Sequence, residues 1–455
     1  MLNRPFERKL PLSLKDTLLE GEIISVGKAI CSFCNRVVPY RELKRGDFVY
    51  FVKECQAENI ASETLIAKAD ESYTRYSRVR EYLNRYAYYN LQIGESFSPS
   101  LEKIVNRDRV NTYVIRITDG CNSNCRICLD RNRIRSKEVT LTQLPQPGVL
   151  KNSYVALTGG EPTIREDLLK IISTLKKFGN HCSICTNGIK LSNPNYTREL
   201  GESGVDRVLL SFDGFGEGIY EVLRGRKDEY YYKLRALENL EKNNIPTALQ
   251  LTVAWGVNFD QIGRVIDYAK EHSFINGVWI KPLFLPGVPF NSNFNTSHLV
   301  SVKEIKDYVC RYTGIADDYF QLFYKCKLKL YSILDKFFPG RKFSHPQEGQ
   351  LFLRRKRGGL VPLIEREELE NLCKGNLTGL NSYFRWLPFL LKSRLSPFTL
   401  EKNLLSDGVL AIIVASSKGP RDRDLSQPIH YLYLEPQNDR ELGISSEISL
   451  ITPEG

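Results

Sequence analysis

Between residue 111 and about residue 290, short apolar runs alternate with helix-length segments, and this alternation constrains the fold of the 455-residue chain more than any other feature. The runs are Tyr113–Thr118, Tyr154–Thr158, His181–Thr186, Val208–Phe212, Leu249–Ala254 and Val278–Leu283. Helical stretches such as Arg165–Phe178, Glu229–Asn243 and Phe259–His272 lie between them. Uninterrupted apolar strands separated by helices are the pattern of an α/β fold whose parallel sheet is buried on both faces. In such folds the chemistry gathers at the C-terminal ends of the strands.

The flanks read differently. Near the N-terminus, Cys31-Ser32-Phe33-Cys34 precedes two β-rich runs, Arg36–Tyr40 and Phe48–Lys53, separated by Gly46-Asp47 and ending at Cys55. This predicts a hairpin with a paired-thiol knuckle at its mouth, over residues 1–70. Residues 71–110 are charged and tyrosine-rich and predict a helical connector to the 111–290 domain. Beyond it, residues 291–455 predict an α+β extension: a helical segment over 301–340, a basic loop at Arg354–Gly359, and a terminal hairpin of Val409–Ala415 with His430–Leu434.

Charge and cysteine usage bound the partners. Net charge is +11, and residues 321–400 hold 15 Lys and Arg against 6 Asp and Glu. Such a concentration suits an anionic partner or is simply a solvated basic face. No apolar run approaches the roughly 18–20 residues of a membrane-spanning helix, and the first residues lack a secretory pattern, so the expected location is cytoplasmic. Eleven cysteines in a reducing compartment point to metal before disulfides. Cys182 and Cys185 share a predicted strand, where i and i+3 face opposite sides, which favours packing over joint ligation.

The loop after the first of these apolar runs is Asp119-Gly120-Cys121-Asn122-Ser123-Asn124-Cys125-Arg126-Ile127-Cys128. Three thiols at this spacing can hold three irons of a [4Fe–4S] cube, leaving the fourth iron open to an outside ligand. The second strand ends in Gly159-Gly160-Glu161-Pro162, where glycines permit close backbone approach and a carboxylate can accept from an ammonium group. Thr186, Asn187, Ser211 and Asp213 stand at the next two strand ends.

The pairing of CxxxCxxC with GGEP resembles the radical S-adenosylmethionine (SAM) enzymes, and it implies a partial (β/α)6 barrel. By that resemblance Cys121, Cys125 and Cys128 hold the cluster, and SAM binds its open iron. Reductive cleavage then yields a 5′-deoxyadenosyl radical that modifies an unactivated carbon by methylation, alkylation or carbon–carbon coupling. Gly159, Gly160, Glu161 and Pro162 form the methionine-binding strand end, and Ile127 lies near the adenine. Thr186, Asn187, Ser211, Asp213 and Asn258 are further SAM-site candidates, with core-capping polar residues as the competing reading. A low-potential electron donor is the implied partner.

LTGGEPTIREDL, ICTNGIKL, LLSFDGFGEGIYEVLRG and LTVAWGVNFDQIGRVIDYA are also similar to the group of the archaeal pterin-precursor methylase and the tetraether lipid synthase. That group carries an N-terminal CxxC…C module, which makes Cys31, Cys34 and Cys55 candidate ligands of a second metal, iron or zinc. Here, however, Cys55 is followed by Gln56-Ala57-Glu58-Asn59 where the relatives have Pro-x-His-Gly. Nothing after Cys373 is a cysteine, so the auxiliary clusters of those relatives are not expected. An anionic lipid or a membrane surface is the expected partner of the aromatic and basic segment 383–405, which holds Trp386, Phe389 and Phe398 beside Arg385, Lys392 and Arg394. An RNA or heterocyclic substrate is the alternative, as is a non-catalytic barrel scaffold.

Overall fold

A computed structural model describes residues 7–30, 37–69, 112–128, 154–284, 294–323, 326, 350–356, 359–373, 409–414, 430–434 and 448–451. The predicted connector at 71–110, the thiols of Cys31 and Cys34, and the segment 383–405 lie outside these residues.

The N-terminal region is a five-stranded antiparallel sheet rather than a lone hairpin. Its strands are β1 (Glu7–Pro11), β2 (Glu22–Ile30), β3 (Val37–Arg45), β4 (Phe48–Cys55) and β5 (Ile60–Lys68). The β3–β4 hairpin forms where the sequence predicts it. Gly46 at φ 54° takes the left-handed turn conformation that residues with a Cβ avoid.

The barrel strands follow in order: β6 (Thr112–Thr118), β7 (Tyr154–Gly159), β8 (His181–Thr186), β9 (Arg207–Ser211), β10 (Thr247–Val253) and β11 (Ile275–Pro282). Each pairs in parallel with the next. Helices α1 (Leu168–Lys177), α2 (Pro194–Glu202), α3 (Glu217–Arg224), α4 (Glu229–Lys242) and α5 (Gln261–Glu271) connect them. Alternation along the strands sorts the side chains. Ile115, Leu157, Cys182, Ile184, Val208, Leu210, Leu249, Leu251, Val278 and Ile280 face the helices and join the main core. Their neighbours face the interior of the curved sheet. Cys182 is thus a core residue while Cys185 faces the other way, as the spacing predicts.

The C-terminal part departs from expectation at two places. The segments around 409–414 and 430–434 do not form a hairpin. β14 (Val409–Val414) joins β11 in parallel, and β15 (His430–Leu434) joins β6 in parallel at the other end of the barrel strands. Both are short apolar runs, and each finds an unpaired barrel edge. The basic Arg354–Gly359 stretch is not a free loop either. Arg354 to Lys356 end β12 (Gln350–Lys356), Gly359 starts β13 (Gly359–Pro362), and the two strands pair antiparallel. Arg355 donates to the carbonyls of Ala269 at 2.8 Å and Lys270 at 3.2 Å, and to that of Ile275. These carbonyls belong to the end of α5 and the start of β11, where a cation suits the negative end of the helix.

Helix α6 (Val302–Thr313) starts with a capping box: Glu304 N–H donates to Ser301 Oγ at 3.1 Å and Ser301 N–H to Glu304 Oε2 at 2.7 Å. The other Glu304 oxygen pairs with Lys68 at 2.8 Å, tying β5 to the barrel domain. Leu65 joins an apolar cluster with Ile127, Ile219, Tyr220, Leu223, Leu283 and Phe294, against which Phe48 and Tyr50 also pack. The N-terminal sheet therefore sits against the C-terminal ends of the barrel strands. Among the described residues no helix is long and apolar enough to cross a membrane.

Candidate SAM and cluster site

The cysteine loop leaves β6 and runs from Asp119 to Cys128 at the C-terminal rim, with all three sulfur-bearing residues partly exposed. Ser123 organises it. Its N–H donates to Cys121 Sγ at 3.4 Å, and its hydroxyl lies 3.1 Å from Cys125 Sγ while bonding Glu229 of α4. Glu229 is fully buried, with Lys233 one turn on at 3.9 Å. Lys233 in turn donates to the Asn187 carbonyl. Burial and the neighbouring Arg224 push the Lys233 ammonium below its usual pKa.

The second strand end is strapped to this loop through backbone. Gly160 N–H donates to the Thr118 carbonyl at 2.9 Å, and Glu161 N–H to the Gly120 carbonyl at 2.8 Å. A Cβ on Gly159 would come within 2.2 Å of Thr118 O, and one on Gly160 within 2.2 Å of Gly120 O. The two glycines are therefore needed for the loop to lie against the strand. The sequence reading assigned that close approach to a ligand.

Glu161 is 1% exposed and its carboxylate is heavily used. One oxygen accepts from Thr163 N–H at 3.1 Å, Thr163 Oγ1 at 2.6 Å and Thr186 Oγ1 at 2.7 Å; the other accepts from Asn187 N–H at 2.6 Å. It joins the ends of β7 and β8. Asn187 completes the connection, its side-chain amide donating to Asn122 Oδ1 of the cysteine loop at 2.8 Å. Pro162 begins the short helical turn Pro162–Ile164.

The remaining candidates separate. Asp213 is fully buried, bidentate with Arg224 at 2.7 and 2.9 Å, and accepts from Thr252 N–H at 3.2 Å. Arg224 also bonds the Cys125 sulfur, so Asp213 acts on the site through Arg224. Asn258 is fully buried with every polar atom used: Oδ1 accepts from Ala254 N–H, and Nδ2 donates to the carbonyls of Asp213 and Thr252, each at 2.9 Å. Ile127, 6% exposed, packs among Ile219, Tyr220 and Leu223, and its N–H donates to the Leu223 carbonyl at 3.3 Å. That contact anchors the loop on α3. Ser211 lies partly exposed at the end of β9.

Sequence reading missed Ser123, Arg224, Glu229 and Lys233. Their signal was weak, because Ser123 is one of several polar loop residues and charged residues on a helix usually face water.

The donor set fits a cluster. Burial, with Glu161, Cys125 and Cys128 nearby, pushes the Cys121 thiol up to about 11. Iron would displace the Cys121 proton, while Ser123 and Arg224 supply donors to the sulfurs. Among the described residues no three His, Cys, Asp or Glu side chains close on a single ion. A cube takes one thiolate per iron, so its ligands need not converge. Cys55, the described member of the second expected metal site, is buried at the end of β4.

Residues 115–269 match the Radical SAM superfamily model. The chain is 26% identical over 272 residues to the 7,8-dihydro-6-hydroxymethylpterin dimethyltransferase of Methanocaldococcus jannaschii, covering 57% of this chain and 53% of that one. It is 31% identical over 215 residues to the probable GTP 3′,8-cyclase of Pyrococcus horikoshii, covering 43% and 67%. The crystal structure of Streptococcus suis SuiB bound to S-adenosylmethionine aligns with a TM-score of 0.37 at 14% identity, over 59% of this chain and 70% of that one. The chain thus spans between about half and two thirds of the length of these curated relatives. It belongs to the radical SAM superfamily, and its cofactors are a [4Fe–4S] cluster and SAM.

Proposed function

We propose that the protein is a radical SAM enzyme that modifies an unactivated carbon by methyl transfer, other alkylation or carbon–carbon coupling. The observation that carries this reading is the Cys121–Cys125–Cys128 loop strapped by backbone to Gly160 and Glu161. When bound, the cluster and SAM supply a one-electron cleavage whose carbon radical can take hydrogen from a C–H bond. Cys121, Cys125 and Cys128 would hold the iron. Glu161 fixes the strand ends that face SAM, and the Ser123–Glu229–Lys233 chain holds the loop in register with α4. The N-terminal sheet and the Ile127 cluster screen one side of the site from solvent, which protects a reactive radical.

The two curated relatives are named for a pterin dimethyltransferase and a GTP cyclase, which supports a heterocyclic substrate as the first class to test. The test is anaerobic reconstitution with iron and sulfide, chemical reduction, and chromatography for 5′-deoxyadenosine. The wild type should form it. The Cys121→Ala/Cys125→Ala/Cys128→Ala variant should hold no cluster and form none, and cleavage by that variant would falsify the assignment.

A further inference from the structure

Inside the barrel, on the face opposite the helices, a cation lacks a hydrogen-bond acceptor among the described residues. Arg207 opens β9 and is only 9% exposed, yet no described residue accepts from its buried Nε and Nη2 atoms. The side chain leans across β10 toward β11, because a Cβ on Gly277 would lie 2.7 Å from Nη2 and 3.2 Å from the Ala248 Cβ. Two small residues thus make the room it occupies. One inward position further along β11 and level with Ser211, Trp279 also buries its indole Nε1 without an acceptor among the described residues. Lys281, the next inward residue, places its ammonium 5.6 Å from the centre of the Trp279 ring.

Arginine and indole nitrogens only donate, so whatever completes this surface must accept. The nearby carboxylates are engaged elsewhere: Asp213 with Arg224, and Glu161 with Thr163, Thr186 and Asn187. Cys185, also facing Arg207, is not a counter-ion at neutral pH, since burial pushes its thiol up to about 11. Burial pulls Arg207 itself down to about 10, which still leaves it charged at neutral pH. A buried, unpaired guanidinium is unfavourable unless a ligand answers it.

We propose that the barrel interior binds an oxyanion of the substrate, a carboxylate or a phosphate, through Arg207, with Trp279 as a second donor one inward position nearer the rim. This deepens the functional reading above and rests on it for the word substrate. The pairing register places Gly277 level with Leu209, two to four residues below Ser211 and Asp213 at the rim. At a rise of about 3.3 Å per residue, that is about 7–13 Å. The substrate is therefore elongated, with its anionic group about that distance from the end that meets the cofactor rim.

The experiment uses the full chain, anaerobically reconstituted, with inorganic phosphate and acetate titrated separately at constant ionic strength. Thermal unfolding is followed with each anion. One of them should raise the wild-type midpoint saturably by about 2–4 °C at roughly ten times its dissociation constant. A response to phosphate alone assigns a phosphate, and a response to acetate a carboxylate. Arg207→Met should lose the shift while its anion-free midpoint stays at or above the wild type, because a lone buried charge has been removed. Gly277→Ala, which crowds the guanidinium without deleting it, should weaken the anion about tenfold. The site is overturned if neither anion shifts the wild type or if the shift survives in Arg207→Met. It is equally overturned if the anion-free midpoint of Arg207→Met falls by several degrees, which would reveal an internal partner. Wild-type 5′-deoxyadenosine formation is measured in parallel. Cleavage without an Arg207-dependent shift rejects the site alone, and a shift without cleavage rejects the enzymatic reading alone.

Discussion

The cofactor rim and the barrel interior treat buried charge in opposite ways. At the rim nearly every charged group is answered by another part of the chain: Asp213 by Arg224, Glu229 by Ser123 and Lys233, Glu161 by four donors from three residues. Arg207, two inward positions below Ser211, and Trp279, level with Ser211 on β11, present donors that no described residue accepts. The rim is a scaffold almost complete in itself, built to hold loops in fixed relation; Glu229 Oε2, with Lys233 3.9 Å away, is buried there without a hydrogen bond. The interior is left unfinished in a single chemical sense, and it needs an acceptor. Low dielectric raises the stakes in both places, since a satisfied buried network stiffens the fold and an unsatisfied one costs free energy until a ligand arrives.

The sharpest way to break this contrast is to make the rim resemble the interior. Asp213→Asn leaves Arg224 buried without its bidentate carboxylate. Loss of one member of a buried pair should destabilise by about 3–5 kcal/mol. Chemical denaturation of the anaerobic protein measures it, and a loss under about 1 kcal/mol would mean that Cys125 and solvent suffice for Arg224. Glu161→Gln is milder. It puts an amide where four donors now meet, so at least one loses its acceptor, at about 1–3 kcal/mol. Because Asn187 and Thr186 hang from this carboxylate, SAM affinity in an equilibrium titration should fall about ten- to a hundred-fold with the iron content unchanged. Unaltered affinity would detach Glu161 from the site.

The smallest effect concerns the basic residues 321–400, proposed to dock an anionic lipid surface. Each cation near such a surface contributes about 1 kcal/mol, and the attraction fades with salt. Co-sedimentation should favour phosphatidylserine vesicles over neutral ones at low salt. Equal, negligible binding to both would leave the charge as a solvated face, and tight salt-sensitive RNA binding would redirect it. Arg355 is already removed from that inventory by its helix-end carbonyls.

The sequence carried the barrel well, because an uninterrupted apolar run between helical segments has few other fates. His181–Thr186 matches β8 to the residue, and the other five strands differ by at most three residues at either end. Helices α2 and α3 escaped notice, being short and polar. For α2 a readable signal existed: Asn193 caps it, accepting from Asn195 and Tyr196 N–H, and Pro194 fills its first position. The edge strands β14 and β15 were recognised as strands but misassigned as partners, since sequence adjacency favours hairpins and their real mates lie some 130 and 320 residues away in the chain. In the site, spacing exposed the thiols and the GGEP segment. It could not show that the glycines face the cysteine loop, that Asn258 is fully bonded inside the fold, or that Arg207 is unanswered. Those facts depend on which side chains meet in space.

The central claim is that Cys121, Cys125 and Cys128 hold a cluster with one iron left for SAM. Electron paramagnetic resonance of the reduced, reconstituted protein, recorded with and without SAM, tests it most directly. The account expects a reduced [4Fe–4S] signal whose shape changes when SAM is added, because SAM binds the open iron. A signal unchanged by saturating SAM, or one that persists after all three cysteines are replaced, would contradict it.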